Sequence, residues 1–355
     1  MAYTTIDDPS KYFQTALYTG NGGTLSITND GNSNLQPDWI WTKERSGTSG
    51  NQNHTITDSS RGNTKQLFVN LPSADATSSA FVTSFDSDGF SLGDNANINN
   101  NSSTYVAWQW KCNGGTTETA VDESGSNPAN VRQTNTDAGF SIITYTGTGS
   151  AGTIAHGLGV APDWIIVKGR DIATDGMVYH GANTSAPETD ALTQPETSAT
   201  SDNAGWWNDT APTSSVFTLG THDRVNKDGN TYIAYCFAEK QGYSKFGGYT
   251  GNGNADGPFV YTGFSPAWLM IKRTDSGEGW HMVDHKRDVN ENNTRLQAES
   301  SGADDTSEGG LDMLSNGFKI RTAWAGFNAD GGTYVYMAFA ESPFVSSKGV
   351  PTTAR

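Results

Sequence analysis

The chain has 355 residues, 34% of them apolar and 17% charged, and its formal net charge is −16. This acidic balance repels the phosphate backbone of nucleic acids, which excludes them as partners. No apolar run approaches the roughly 20 residues that cross a bilayer, which excludes membrane insertion, and the first residues lack the basic and apolar stretches of a secretion signal. Abundant Gly, Asn, Ser, Thr and aromatic residues predict strands and turns rather than helices.

Three motifs recur in the same order along the chain. The first is Tyr-Thr-Gly, at 18–20, 145–147 and 249–251. The second is Pro-x-Trp followed by an apolar run and a lysine, at 37–43, 162–168 and 266–272. The third is a closing Thr-Tyr strand, with its tyrosine at Tyr105, Tyr232 and Tyr334. From the Trp of the second motif to this tyrosine the separations are 66, 68 and 66 residues, which predicts three tandem repeats of one unit.

Each repeat is predicted to be an antiparallel β-sandwich of jelly-roll or lectin-like kind, which makes the whole chain all-β. The closing strands carry apolar side chains on both faces, as a strand in the middle of a sandwich requires. Glycine-containing pairs near these strands supply the positive φ of tight turns. No long stretch shows the 3.6-residue periodicity and the caps of a helix, so helix is expected to be limited to a turn or two.

Composition and the repeats give the predicted boundaries. They are an N-terminal extension at 1–16, repeat 1 at 17–112, a linker at 113–138, repeat 2 at 139–240, repeat 3 at 241–341 and a C-terminal extension at 342–355. The linker is predicted from a polar composition without a buried pattern. Because the extensions lie outside the repeats, we expect them to contact neighbouring chains of a homo-oligomer instead of folding back on their own unit.

The predicted receptor-binding site is a group of four residues in repeat 2: Trp206, Trp207, Asn208 and Asp209. They lie in a polar segment at 181–210 that has no counterpart in the other repeats. Exposed aromatic rings beside Asn and Asp are suited to stacking on sugars. Neighbouring side chains of an extended segment point to opposite sides, so at least one ring is expected to be exposed. The alternative is that a ring caps the core of the sandwich.

Three further patterns suggest cofactor or metal chemistry but favour simpler interpretations. The Gly-x-Gly-x-x-Gly at 147–152 resembles a dinucleotide fingerprint, yet no helix follows it and the other repeats have turns at this place. The Asp-Ser-Asp-Gly at 86–89 resembles a calcium loop that lacks the final glutamate. His281 and His285 are interpreted as a surface pair. We therefore predict no catalytic residues, no cofactor and no metal.

The repeated motifs resemble those of tandem β-sandwich virion proteins of marine tailed phages, over residues 12–355. The resemblance is carried by Tyr-Thr-Gly-x-Gly, by Pro-x-Trp-φ-φ-φ-Lys, by the Gly-x-Thr-Tyr-φ-Ala seen at 229–234 and by the phrase at 338–344, where φ is apolar. It implies a non-enzymatic virion structural protein on the particle surface: a tail fibre, a tail appendage or a head-decoration subunit. The implied partners are further copies, other virion proteins and a host-surface glycan or receptor.

Two other functions stay open from the sequence alone, a tail-associated polysaccharide-degrading enzyme and a bacterial lectin. Asp275, Glu278 and Asp284 are the residues that would supply the two carboxylates of a glycosidase, although the other repeats do not share this set. A carboxylate pair in one cleft would favour the enzyme. Aromatic-lined loops without such a pair would favour binding.

Overall fold

The computed structural model describes residues 2–47, 52–119, 124–288, 294–307 and 309–352. It shows an all-β protein of antiparallel sheets, which confirms the predicted fold class. Helix in the described ranges is confined to the four-residue helices α1 (Ala96–Asn99), α2 (Asp223–Asn226) and α3 (Ala325–Asn328) and to 3-10 turns at Pro9–Lys11 and Pro187–Thr189. Within those ranges, the search for a helix long and apolar enough to cross a membrane finds none.

The first nine strands form unit 1. They are β1 (Phe13–Thr19), β2 (Leu25–Thr28), β3 (Trp39–Ser46), β4 (Thr55–Asp58), β5 (Lys65–Phe68), β6 (Ala76–Thr77), β7 (Val82–Asp86), β8 (Gly89–Leu92) and β9 (Thr104–Trp110). The large sheet has the order β1-β9-β3-β4-β5-β6, and the small sheet has the order β2-β8-β7.

The next ten strands form unit 2. They are β10 (Glu118–Thr119), β11 (Asn130–Asn135), β12 (Phe140–Thr146), β13 (Gly152–Ala155), β14 (Trp164–Gly169), β15 (Gly176–His180), β16 (Asp190–Gln194), β17 (Ser201–Asp202), β18 (Val216–Leu219) and β19 (Thr231–Phe237). The large sheet has the order β10-β11-β12-β19-β14-β15-β16-β17, and β13 pairs with β18 in the small sheet.

The remaining strands form unit 3. They are β20 (Ser244–Thr250), β21 (Phe259–Tyr261), β22 (Phe264–Arg273), β23 (Trp280–Asp284), β24 (Leu296–Gln297), β25 (Leu311–Leu314), β26 (Gly317–Ile320) and β27 (Thr333–Pro343). The large sheet has the order β20-β27-β22-β23-β24, and the small sheet has the order β21-β26-β25.

The three units share the order of the central strands of their large sheets. In each large sheet the Tyr-Thr-Gly strand pairs with the closing strand, and the closing strand pairs with the Pro-x-Trp strand. The tryptophans of the motif hold matching register positions, because Trp39 lies opposite Trp110, Trp164 opposite Phe237 and Trp268 opposite Phe339. The conserved spacing in the sequence therefore corresponds to one repeated pairing scheme.

The tyrosines of the first and third motifs stabilise the turn that precedes each closing strand. In unit 2 the ring of Tyr145 stacks on Tyr232 with centroids 5.2 Å apart, and its hydroxyl donates to the carbonyl of Val225 at the end of α2. Gly147 lies so close to this turn that a Cβ would sit 2.3 Å from the carbonyl oxygen of Lys227. Equivalent stacks join Tyr18 to Tyr105 at 5.1 Å and Tyr249 to Tyr334 at 4.9 Å.

Each large sheet buries both of its faces. The outer face packs on the small sheet of its own unit, which gives each unit a private core; Phe90, Phe217 and Phe318 lie in these three cores. The inner faces of all three large sheets meet in one central core. The units are thus sandwiches arranged around a shared apolar centre.

Phe237 illustrates how the central core joins the units. Its ring lies 5.6 Å from Trp39 of unit 1 and 5.7 Å from Phe339 of unit 3, centroid to centroid. Trp110 of unit 1 lies 5.6 Å from Trp268 and 5.4 Å from Phe339. Aromatic rings bury more apolar surface than other side chains, so this contact set holds the three sheets together as one body.

Two predicted boundaries need correction. The segment 113–138, predicted as a linker, contributes β10 and β11 to the large sheet of unit 2. Its polar composition was misleading because β10 and β11 are the two outermost strands at one side of the sheet, where polar side chains are tolerated. Residues 13–16, assigned to the N-terminal extension, lie in β1. Residues 120–123 of the predicted linker lie outside the described residues.

The described parts of both extensions fold back on the same chain, which was not expected, while their contact with neighbouring chains stays a prediction. The hydroxyl of Tyr3 donates to the carbonyl of Gly263 at 2.7 Å, and Thr4 Oγ1 donates to Gln241 O at 2.7 Å. The amide of Ser347 donates to Asp7 Oδ1 at 2.6 Å, which joins the two extensions to each other. Residue 1 and residues 353–355 lie outside the described residues.

Candidate functional site

The lysines that end the Pro-x-Trp motifs lie at the contacts between units. Lys43, Lys168 and Lys272, here called the ring lysines, are all buried. Each extends its ammonium group to a backbone carbonyl of the neighbouring unit. Lys43 Nζ donates to Ser301 O at 3.0 Å, Lys168 Nζ to Leu71 O at 2.9 Å and Lys272 Nζ to Thr197 O at 3.1 Å. The contacts run from unit 1 to unit 3, from unit 2 to unit 1 and from unit 3 to unit 2, so they close a ring.

A backbone hydrogen bond beside each ring lysine repeats the same geometry. The amide of Asp75 donates to Arg170 O at 2.7 Å, that of Asp304 to Arg45 O at 2.9 Å and that of Thr200 to Thr274 O at 2.9 Å. Each acceptor residue stands two positions after a ring lysine. The three inter-unit contacts are therefore built to one plan.

Burial disfavours the charged ammonium and lowers the pKa of each ring lysine to about 8. An amine that loses its proton near neutral pH has the chemistry of a nucleophile. Lys168 has no room for a substrate to reach its amine, because the cavity beside it has a volume of about 10 Å³, which holds one water at most. The hydrogen bonds to carbonyls assign the ring lysines to the joining of units.

Two of the three inter-unit contacts add a buried acid–arginine cluster. Between units 1 and 2, Arg61 Nε lies 2.5 Å from Asp58 Oδ2, and Arg61 Nη1 lies 3.0 Å from Asp75 Oδ1. Tyr235 of unit 2 donates its hydroxyl to the Asp58 carboxylate at 2.7 Å. Burial acts to lower the pKa of Arg61, but the adjacent carboxylates outweigh it and the pKa is raised, so the guanidinium stays charged.

Unit 3 repeats this cluster against unit 1. Arg287 Nε lies 2.5 Å from Asp284 Oδ2, and Arg287 Nη1 lies 2.8 Å from Asp304 Oδ1. Trp108 takes the place of Tyr235 and donates its indole N–H to Asp284 Oδ2 at 3.0 Å. Arg45 extends the cluster to Asp304 at 2.8 Å. Both clusters satisfy charges that would otherwise be costly to bury.

Among the described residues, the contact between units 2 and 3 has no counterpart of the acid–arginine pair and has a histidine in its place. His180 lies opposite Trp164, as Asp58 lies opposite Trp39. Its Nε2 is 3.1 Å from the carbonyl oxygen of Tyr336, and burial lowers its pKa to about 4, so the imidazole is neutral and donates this bond. This interface is therefore held by neutral groups and by Lys272.

The predicted receptor-binding residues do not form an exposed aromatic platform. Trp206 is 5% exposed and Trp207 is 2% exposed, so the expectation of one exposed ring is wrong. Both rings pack in the private core of unit 2, where the Trp207 indole donates to Asp190 O at 2.9 Å. The physical reason is a turn: Asn208 and Asp209 adopt left-handed φ values of 53° and 46°, so the segment is not extended. Asn208 and Asp209 themselves are exposed.

The exposed aromatic side chains lie elsewhere, on the edge strand β21 of unit 3. Phe259 is 46% exposed and Tyr261 is 53% exposed. They stand two residues apart and so project from the same face of the small sheet. The hydroxyl of Tyr261 lies 3.2 Å from that of Tyr3, which fixes one end of this pair. The pair could not be identified from the sequence, because single aromatic residues in a strand give no sign of which face of the sheet is covered.

A cleft of about 370 Å³ separates units 1 and 3. Its walls include Thr15 of β1 on one side and His285 and Lys286 on the other. Lys286 Nζ is paired with Asp30 Oδ2 at 2.6 Å, and this pair joins the two units beside the cleft. Glu341 also lines it, so the walls carry both signs of charge.

The structure places the remaining sequence candidates in structural roles. Asp86 accepts hydrogen bonds from Ser84 and Ser91 at 2.6 and 2.7 Å, as expected for a turn. His281 is buried among aromatic rings and not at the surface, which corrects the interpretation of a surface pair. Among the described residues, a search for three or more clustered metal-ligating side chains finds none.

Two of the three candidate glycosidase carboxylates, Asp275 and Asp284, are bound to neighbouring arginines. Asp275 Oδ1 lies 2.8 Å from Arg273 Nε at the surface. Asp284 is buried and belongs to the cluster with Arg287. A general acid and a nucleophile need two carboxylates facing one substrate, and these two residues have different partners in different surroundings.

One family model matches the chain. It is described as a domain of unknown function, DUF7483, and it covers residues 8–343. The matched range begins before β1 and ends with β27, so it takes in all three units. A search of curated proteins gives no match.

Proposed function

The chain belongs to the DUF7483 family, and on this premise we propose that it is a non-enzymatic structural protein of a phage particle. The virion setting comes from the resemblance of its repeated motifs to tandem β-sandwich virion proteins. The candidate positions are a tail fibre, a tail appendage or a head-decoration subunit. The role is to present rigid sandwiches to other particle proteins and to the host surface.

The observation that carries the proposal is the closed ring of three units around one aromatic core. A chain of separate domains bends at its linkers, whereas here every unit contacts both others through the ring lysines and the central rings. Such a body keeps its shape under force because separating any two units would expose apolar surface and unpaired buried groups. A particle component that carries attachment forces needs this property.

Host contact, in this proposal, uses Phe259 and Tyr261 in place of the tryptophan pair. Their rings are about half exposed, and both project from one face. An aromatic ring that stacks on a sugar contributes about 0.5–1.5 kcal/mol, by analogy with aromatic pairs. Contacts of this strength become firm when many copies on one particle engage together.

The first test is the location of the chain. Mass spectrometry of purified particles is expected to find it in a fixed ratio to the major capsid protein, and antibody labelling is expected to mark the tail or the capsid surface. A chain that stays in the soluble lysate fraction when particles are purified would overturn the virion role.

The second test concerns host contact. Particles with Phe259→Ser and Tyr261→Ser are expected to adsorb to host cells more slowly than the unmodified particles. Val160→Ser is the matched control, because Val160 is also 46% exposed but lies in unit 2. Equal adsorption by the double variant and the control would remove β21 as the contact surface and leave only the architectural role.

A further inference from the structure

In the described part of the chain, unit 2 has a strand, β11, that units 1 and 3 lack. In unit 2, β11 pairs antiparallel with the outer edge of β12, with Gln133 opposite Ile142 and Val131 opposite Thr144. Gln133 is fully buried, and its side-chain amide donates to Ser59 Oγ at 2.8 Å and to Ser60 Oγ at 2.7 Å. Because both serines belong to unit 1, the strand joins the large sheet of unit 2 to unit 1.

The matching edge in unit 1 is open. β1 ends its sheet in the described part of the chain, and β9 is its single neighbour there. The amide of Gly20 bonds to Ser103 in line with β9, and antiparallel strands bond a given neighbour at every second residue. The backbone groups of Thr15 and Leu17 therefore point away from β9. Leu17 is 37% exposed.

The cleft between units 1 and 3 occupies the place that β11 fills in unit 2. Asp58 and Asp284 hold matching register positions, so the serines that receive Gln133 correspond to His285 and Lys286. These two residues face Thr15 across the cleft, and Thr15 corresponds to Ile142, the partner of Gln133. The buried hydroxyl of Thr15 has no hydrogen-bond partner among the described residues.

The third edge, β20 in unit 3, is less accessible. It contains Gly247 and Gly248, and a side chain at Gly248 would lie 3.4 Å from the carbonyl oxygen of Ala182 in unit 2. Unit 2 therefore lies directly against the β20 edge. At the β1 edge, in contrast, unit 3 leaves a cleft. Of the three equivalent edges, one is covered by the chain itself, one is crowded and one combines unpaired backbone with space.

We propose that β1 is a docking edge for one extended segment of a partner protein, which adds antiparallel to it as β11 adds to β12. Unpaired edge strands are templates for such addition, with backbone bonds giving affinity and side-chain pockets giving specificity. The segment places an amide side chain, Gln or Asn, opposite Thr15. An amide both donates and accepts, so it suits a cleft that carries Asp30 and Glu341 as well as Lys286. This inference does not depend on the virion role.

The chain supplies its own probe, a peptide with the sequence of residues 127–136, which contains β11. Amide hydrogen exchange of the intact protein is measured by mass spectrometry with increasing peptide. The expected result is exchange slowed by about tenfold or more in the fragment covering β1 at saturating peptide. The control peptide has proline in place of Val131, which removes an N–H needed for pairing.

Two variants link the protection to β1. Leu17→Pro removes an outward N–H and is expected to abolish the effect, while Leu17→Thr, which copies Thr144 of unit 2, is expected to retain it. Thermal unfolding of both variants shows whether they fold, and the proline control peptide tests the inference on the unmodified chain. Absence of protection up to the solubility limit of the peptide would overturn the proposal. Equal protection of β1 and β20, or protection by the control peptide, would also overturn it.

Discussion

Replacing Arg61 by methionine tests whether the buried cluster joins units 1 and 2. The Arg61 side chain is fully buried and bonds to Asp58, Asp75 and the carbonyl oxygen of Ile56. Methionine fills much of the same space but removes the charge. The Asp58 side chain has no exposure to water, so it would be left buried without its ion-pair partner.

The expected cost is large because breaking a buried pair leaves the other charge uncompensated. Removing one partner of such a pair lowers the free energy of unfolding by about 3–5 kcal/mol. Arg321→Met is the matched control, since Arg321 and Asp312 are paired at 2.5 Å but their side chains are 49% and 22% exposed. An exposed pair contributes about 0–1 kcal/mol. The double variant Arg61→Met with Asp58→Asn is expected to regain part of the loss, because the buried charge is then gone as well.

Urea unfolding followed by tryptophan fluorescence measures all three variants at neutral pH. From most to least stable, the expected order is the unmodified protein, Arg321→Met, the double variant and Arg61→Met. An Arg61→Met protein no less stable than Arg321→Met would refute it. So would a double variant that is less stable than Arg61→Met, because that result would mean the lost packing dominates over the unpaired charge.

Three further predictions use the same assay. Burial lowers the pKa of each ring lysine to about 8, so above that pH the unfolded chain holds more lysine protons than the folded chain, and the free energy of unfolding should rise from pH 8 to pH 9. The two buried thiols have raised pKa values, which reduce this gain but do not reverse it. A urea midpoint that falls between pH 8 and pH 9 would contradict the prediction. Trp207→Ala should lower the free energy of unfolding by about 3–5 kcal/mol because the Trp207 ring is in the core. An unchanged urea midpoint would contradict the burial of this ring. Gly147→Ala should lower the free energy of unfolding by about 1–3 kcal/mol because the new Cβ would contact the carbonyl oxygen of Lys227. An unchanged free energy of unfolding would show that the backbone of the turn moves to accommodate the Cβ.

The sequence was sufficient to predict an all-β chain with a repeated arrangement but not the way the units meet. Repeated spacing between Trp39 and Tyr105, and between their counterparts, reports a shared register because both residues lie on neighbouring strands. Apolar residues on both faces of the closing strands were interpreted as the interior of a sandwich. One of those faces instead packs on the other units. A periodicity of two identifies two buried faces but does not say what covers each of them.

The ring lysines and the tryptophan pair show two different limits of the sequence. Lysine is rarely fully buried, so Lys43 and its counterparts look like surface residues, and their recurrence at the end of every motif was the available signal of a structural role. For Trp206 and Trp207 the prediction depended on an extended backbone. The following Asn208 and Asp209 are residues that tolerate left-handed turns, and this local signal was outweighed by the appeal of adjacent aromatic rings in a polar segment.

Joining the units in one polypeptide has a consequence for valency. Three identical chains arranged around a threefold axis would offer three identical open edges, and a partner could occupy any or all of them. Here β11 covers one edge and Ala182 crowds another. Of the three equivalent edges in the described part of the chain, β1 is therefore the open one. With β1 as the proposed docking edge, an assembly of such asymmetric bodies would bind one partner at β1 of each copy at a defined angle, although each body is built on a nearly symmetric frame.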